Sequence, residues 1–155
     1  MKQSFTPMER VTIARSPKRP NALFYIQSLF TDFISLRGDR LSKEDASVLG
    51  GIALFHDISV TVIANLKGHT LEENIDCNFG MSNPSGYRKI IRLAKQAEKF
   101  GRPIITFIDT PGAYPGIEAE MQGQGEAIAQ CLALFSDLKV PVISIIICEG
   151  GSGGA

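Results

Sequence analysis

At 155 residues the chain has the length of one ordinary domain, enough to bury a core without disulfide or metal staples. Sixteen Lys and Arg against sixteen Asp and Glu leave no net charge, which excludes the basic excess of a nucleic-acid binder. Apolar residues make up 44% and charged residues 21%, the balance of a soluble globular domain, and the longest apolar run, Val140–Cys148 broken only by Ser144, is half of what a bilayer span requires.

The first residues carry no apolar stretch of a secretory signal. Cys77, Cys131 and Cys148 are an odd and scattered set without C-x-x-C spacing, which argues against a disulfide framework or a metal site and fits a reducing cytoplasm. Residues 1–47 form an N-terminal segment in which eight basic residues face five acids. Pro7, Pro17 and Pro20 break its start into extended or short helical pieces. Apolar residues at Leu23, Ile26, Leu29, Phe30, Phe33 and Ile34 then predict a helix over 21–36, stopped near Gly38.

From Val48 the pattern is that of strands. Val48–Phe55 and Ile58–Leu66 are apolar or β-branched runs around His56-Asp57, which suits a tight hairpin. A helix follows over Tyr87–Phe100, with Tyr87, Ile90, Ile91, Ala94 and Ala97 on one face and Gly101 as its stop. Ile104–Ile108 reads as a buried strand. A second helix is predicted over 120–138 with Ile128, Cys131, Leu132, Phe135 and Leu138 inward, and Val142–Cys148 as another buried strand. The order β-β-α-β-α-β makes residues 48–155 an α/β unit with parallel central pairing, either an open doubly wound sheet or a spiral of β-β-α turns.

Two loops leave the carboxyl ends of the last two strands, where α/β folds place ligands. The first, Asp109-Thr110-Pro111-Gly112-Ala113-Tyr114-Pro115-Gly116, is stiffened by prolines and opened by glycines; its plain reading is a rigid turn capped by Asp109. The second, Glu149-Gly150-Gly151-Ser152-Gly153-Gly154-Ala155, exposes successive N–H groups that can hold a developing oxyanion, where one lost donor costs about 3 kcal/mol of barrier. Phe107–Gly112 has the look of a GTPase D-x-x-G, but no G-x-x-x-x-G-K-[ST] precedes it. Gly150–Gly154 also satisfies the nucleophile elbow G-x-S-x-G, which leaves an α/β-hydrolase-type serine esterase using Ser152 as the alternative; its weakness is that His56 and His69 both precede the serine.

Together these residues resemble the carboxyltransferase alpha-subunit family of bacterial acetyl-coenzyme A carboxylases. The resemblance is carried by Gly50–Ala53, Asn78–Met81, Gly86–Lys89, Pro103–Gly116, Gly125–Ala129 and Glu149–Ala155, several separated blocks in the right order. It implies a crotonase-like (ClpP/crotonase) spiral of β-β-α units, here truncated at its C-terminus, with 48–155 the N-terminal portion of the carboxyltransferase domain. It implies an enzyme of fatty acid biosynthesis that moves the carboxyl group of carboxybiotin, carried on a separate biotin carboxyl carrier protein, to acetyl-CoA, giving malonyl-CoA. ATP would be used only by a separate biotin carboxylase component, and this chain would hold no metal. A beta subunit bearing a zinc ribbon would complete an α2β2 heterotetramer, and a non-catalytic crotonase-fold subunit is a further alternative.

By the same resemblance, the amides of Gly153 and Gly154 would hold the biotin ureido oxygen. Gly112 and Ala113 would wall the biotin pocket, Gly150 and Gly151 would shape the turn, Ser152 would be a spacer and Glu149 would orient the loop. Arg88 and Lys89, inside a family block, are candidates for attracting an acidic carrier or CoA phosphates, whereas Arg92, Lys95 and Lys99 read as a solvated face. His56 is expected in a turn, His69 in a loop, and Cys131 and Cys148 in the core. The chain departs from the family in the net acidic stretch 67–77, in Glu118 where a small residue is common, and in Gln122 where an arginine is usual. Those departures bear on phosphate contacts and on carrier or biotin recognition.

Overall fold

The structure is a computed structural model that describes residues 5–155. Helix α1 (Pro7–Ala14) starts on a capping box: the Glu9 amide donates to the Thr6 hydroxyl at 3.3 Å, and Glu9 accepts from the Thr6 amide at 2.7 Å. Asn21 caps α2 (Ala22–Leu29). The helix predicted over 21–36 ends there, because Phe30 turns into the core against Phe55 and Phe107 and the next residues form strand β1 (Thr31–Ser35). β1 pairs antiparallel with β2 (Val48–Phe55), and Gly51 is what admits it: a Cβ there would lie 2.2 Å from the Ile34 carbonyl oxygen.

β2 and β3 (Ile58–Asn65) form the expected hairpin, with Phe55 opposite Ile58. His56 and Asp57 both take left-handed backbone, at φ 46° and 65°, as a two-residue primed turn requires. A short helix α3 (Leu71–Asp76), absent from the sequence reading, is started by a Thr70/Glu73 capping box. Pro84 at the first turn opens α4 (Pro84–Lys99), which leads into β4 (Ile104–Thr110). The helix predicted over 120–138 is two helices, α5 (Ile117–Met121) and α6 (Gln124–Asp137), because Gly123 sits in left-handed backbone at φ 81° between them. β5 (Val142–Gly150) closes the chain of elements.

Among the described residues five strands lie in sequence order, antiparallel from β1 to β3 and parallel from β3 to β5. One face buries Ala22, Ile26, Phe30, Val62 and Phe107 under α2. The other buries Val48, Ile63, Leu93, Ala94, Ala97 and Ile104 against α4, with Phe135 of α6 and Leu138 just past its end at the border. The expectation of a buried strand over Val142–Cys148 is not met: among the described residues β5 pairs only with β4, and Ile143 and Ile146 are 54% and 64% exposed. Leu132, expected inward, is likewise exposed, because α6 reaches the core through Leu134, Phe135 and, just past its end, Leu138.

Candidate functional site

Parallel pairing brings the carboxyl ends of β3, β4 and β5 to one edge of the sheet, so both glycine loops start side by side. The loop after β4 is closed by Thr110 and not by Asp109, which corrects the expected cap. The Thr110 hydroxyl accepts from the Gly112 amide at 3.1 Å and donates to the Gly112 carbonyl at 2.8 Å. Further along, Tyr114 N–H donates to Ser82 O at 3.0 Å. The buried Gln124 amide donates to both Ser82 O and Tyr114 O at 2.9 Å, tying the loop to the start of α6.

The loop after β5 lies against the first at distances only glycine allows. Gly151 N–H donates to Thr110 O at 2.9 Å, and a Cβ on Gly151 would stand 2.3 Å from Pro111 O. A Cβ on Gly154 would stand 2.2 Å from the Ala113 nitrogen and 2.8 Å from the Tyr87 hydroxyl. That hydroxyl donates to Gly154 O at 3.0 Å, and burial pushes its pKa up, so it stays a neutral donor. Gly150 has only ordinary contacts, the nearest Ile108 Cγ2 at 3.4 Å, and Gly153 faces open space. Four of the six glycine-loop residues expected at the site, Gly112, Ala113, Gly151 and Gly154, therefore meet directly.

Ala155 N–H donates to Ser152 O at 3.3 Å, closing a turn around Gly153 and Gly154. A turn of this kind leaves the amides of its two central residues outside its own bonding. Neither amide is a donor in any hydrogen bond among the described residues. Both glycines border a cavity of about 190 Å³ lined by apolar side chains including Val48, Ile63, Ile128 and Phe135, with Thr106 Oγ1 buried there without a partner. No acidic side chain lines it among the described residues. Two unbonded donors at the rim of a largely apolar hollow without acidic side chains favour a ligand oxygen that carries or gains negative charge.

Ser152 is exposed at φ 61°, and its hydroxyl is in no hydrogen bond among the described residues. The histidines a hydrolase would need are engaged elsewhere: His56 stacks edge-on against Phe55, and His69 Nδ1 lies 2.8 Å from Pro17 O. Cys131 is part-buried, its thiol pushed up to about 11 by burial, whereas Cys148 Sγ, also part-buried, accepts from Arg19 Nε of the N-terminal segment at 3.2 Å.

Arg88 and Lys89 point inward rather than toward a partner. Arg88 Nε meets Asp39 at 3.2 Å, and the buried Lys89 ammonium is held by Glu44 and by Val48 O at 2.6 Å. Arg92, read as solvated, donates to the carbonyls of Leu36, Arg37 and Gly38. All three fasten α4 to the 36–48 segment. Glu118 and Gln122 are exposed, neither side chain is in a hydrogen bond among the described residues, and the Gln122 carbonyl accepts from Arg88 at 3.3 Å.

The sequence reading missed an ionic cluster beneath the loops. Lys67, just past β3, places its ammonium 2.8 Å from Asp109 and 2.6 Å from Glu149, while Arg15 of the N-terminal segment takes the other Glu149 oxygen at 3.0 Å. Burial opposes ionisation of Glu149, but the hydrogen bonds from Lys67 and Arg15 outweigh it and hold the carboxyl below its ordinary range. No sequence signal joins Lys67 to positions 42 and 82 residues away. Among the described residues no group of three His, Cys, Asp or Glu could hold a metal ion, and no helix is long and apolar enough to cross a membrane.

The family model described as acetyl co-enzyme A carboxylase carboxyltransferase-like matches residues 1–155. The acetyl-coenzyme A carboxylase carboxyl transferase subunit alpha of Clostridium botulinum (strain Eklund 17B / Type B) is 61% identical over 150 residues, 97% of this chain and 55% of that protein. The subunit of the same name from Carboxydothermus hydrogenoformans is 56% identical over 153 residues, 99% of this chain and 47% of that one. The chain thus spans about half the length of the curated relatives it matches. Among solved structures, transcarboxylase 12S superposes with a TM-score of 0.68 at 18% identity, over 94% of this chain and 29% of that one. The beta subunit of P. aeruginosa geranyl-CoA carboxylase gives 0.60 at 16%, over 74% and 19%.

Proposed function

The chain belongs to the acetyl-CoA carboxylase carboxyltransferase-like family and has its crotonase-like fold, and on that premise we propose that it is the part of a carboxyltransferase alpha subunit that receives carboxybiotin. In this reading the carboxyl group passes from biotin on a separate carrier protein to acetyl-CoA, giving malonyl-CoA. A beta subunit supplies the acyl-CoA side, in an α2β2 assembly in the cytoplasm. The observation that carries it is the pair of unbonded amides, Gly153 and Gly154, at the rim of an apolar cavity.

The residues suit a ureido ring, a flat, largely apolar group with one strongly accepting oxygen. The hollow is largely apolar, no Asp or Glu side chain lines it among the described residues, and two donors stand at its edge without a hydrogen-bond partner there. When bound, carboxybiotin supplies the transferable carboxyl and retains the electron pair of the broken N–C bond. Gly153 and Gly154 donate toward the oxygen on which that charge accumulates, a preorganised contribution of about 3 kcal/mol per donor. Gly112 and Ala113, expected to wall the biotin pocket, do not line the hollow themselves but pack behind Gly154, and Gly150 and Gly151 carry the chain out of β5 into the turn. Tyr87 fixes the Gly154 carbonyl and with it the plane of the last peptide of the turn. The CoA carbonyl is activated on the partner's side, and no nucleophilic side chain of this chain takes part.

The test is malonyl-CoA-dependent carboxylation of biocytin by the full-length chain assembled with its beta subunit. Turnover is expected, and none from a verified complex would remove the assignment.

A further inference from the structure

The two loops are built on strand ends that carry one positive charge between them. Asp109 is the next-to-last residue of β4 and Glu149 the next-to-last of β5, each on the α2 side of the sheet like Phe107 and Ile147. The pairing of β4 with β5 slips between Ile108 and Thr110: Ile108 faces Ile146, but Thr110 faces Gly150. Such an irregularity re-aims side chains, and here Asp109 and Glu149 converge on the Lys67 ammonium.

The lysine stem is clamped as well. Asn78, Phe79 and Gly80 take left-handed backbone in succession, at φ 52°, 54° and 79°, a costly run for two residues with side chains. The turn lays Gly80 on the stem: a Cβ at Gly80 would lie 3.0 Å from Lys67 Cγ, 3.1 Å from Lys67 Cε and 2.9 Å from Asp109 O. Lys67 is also the one cation on Asp109 among the described residues, whereas Glu149 has Arg15 in addition.

We propose that Lys67 is a positioning residue for carboxyl transfer: by bridging Asp109 and Glu149 it sets the spacing of the β4 and β5 ends, and so the register of the Gly153–Gly154 turn against Gly112–Ala113. The proposal rests on the function given above. It acts through geometry, since misplacing a catalytic donor by about 1 Å can cost roughly a hundredfold in rate.

The test uses the full-length alpha–beta complex, biocytin and malonyl-CoA. Lys67→Met is expected to lower kcat about a hundredfold while KM for biocytin stays within about threefold, the pattern of lost transition-state contacts. Lys67→Arg, which can still bridge two carboxylates, is expected to recover to within roughly tenfold of wild type. Gly80→Ala, which keeps the ammonium but displaces its stem, is expected to lower kcat in the same way. The neutral triple variant Lys67→Met/Asp109→Asn/Glu149→Gln removes the unpaired charges that could unfold Lys67→Met. It is expected to assemble normally and remain slow. Hydrogen exchange supplies a readout apart from turnover: the Gly151 amide, bonded to Thr110 O, should exchange at least about tenfold faster in the triple variant than in wild type. A triple variant with wild-type kcat, or with unchanged Gly151 exchange, would overturn the positioning role. An inactive wild-type complex would count against the function instead, and the exchange comparison would still decide the role of Lys67.

Discussion

Gly154 and Gly153 are neighbours with opposite tolerances. Alanine at 154 would drive its methyl into the Ala113 nitrogen and the Tyr87 hydroxyl, whereas alanine at 153 meets nothing within 4 Å. Gly154→Ala should therefore cost about 1–3 kcal/mol of stability through backbone displacement and abolish most turnover. Gly153→Ala should leave the melting temperature within a few degrees, by differential scanning calorimetry, and retain more activity. Equal losses at the two positions would contradict the packing of the loops. Small residues at the two strand ends, Gly112 and Gly151 among them, announced the loops in the sequence. Their mutual contact was not legible, because glycine spacing does not say which backbone the missing side chain makes room for. Lys67 was hidden for the same reason, as its partners lie in other elements.

At the scale of elements, α4 is held to the 36–48 segment by buried charge. Asp39 accepts the amides of Leu41, Ser42 and Lys43 and the Arg88 guanidinium. Burial disfavours its charged form, but these donors win and hold its carboxyl far below the ordinary range. A carboxyl depressed in the folded state contributes stability that is fully present above its unfolded value of 3.8 and is lost as pH falls below it. Melting temperature should accordingly begin to drop at about pH 4 and keep falling toward about pH 2, and Asp39→Asn should flatten part of that drop. A variant with the same slope as wild type would mean that Asp39 does not drive it. Asp39→Ala, which leaves three amides and Arg88 unpartnered, should cost about 3 kcal/mol at neutral pH in urea denaturation. The hairpin, α4 and β4 were readable from periodicity and turn residues. The end of α2 at Leu29 was not, since Phe30, Phe33 and Ile34 fit a helical face as well as they fit a strand laid along Gly51. The break at Gly123 was a single left-handed residue inside a pattern that otherwise continued.

For the molecule as a whole, the consequential departure from the sequence reading is β5. An apolar run predicts burial, whereas among the described residues β5 pairs with β4 alone and leaves Ile143, Ile145 and Ile146 exposed. Edges of this kind pair with other chains. The 155-residue chain by itself should show concentration-dependent self-association in light scattering, reduced by Ile146→Lys; a monomer at all concentrations would contradict this. In the proposed carboxyl transfer, main-chain amides carry the chemistry of this loop, with no help from the serine between them and the strand. The most direct measurement is biocytin carboxylation by the full-length alpha–beta complex carrying either Ser152→Gly or Gly154→Val. Ser152→Gly, which removes the hydroxyl and suits the left-handed backbone at φ 61°, is predicted to keep the wild-type rate, and Gly154→Val to lose it. An inactive Ser152→Gly beside an active Gly154→Val would mean that the serine, and not the amides, carries the chemistry.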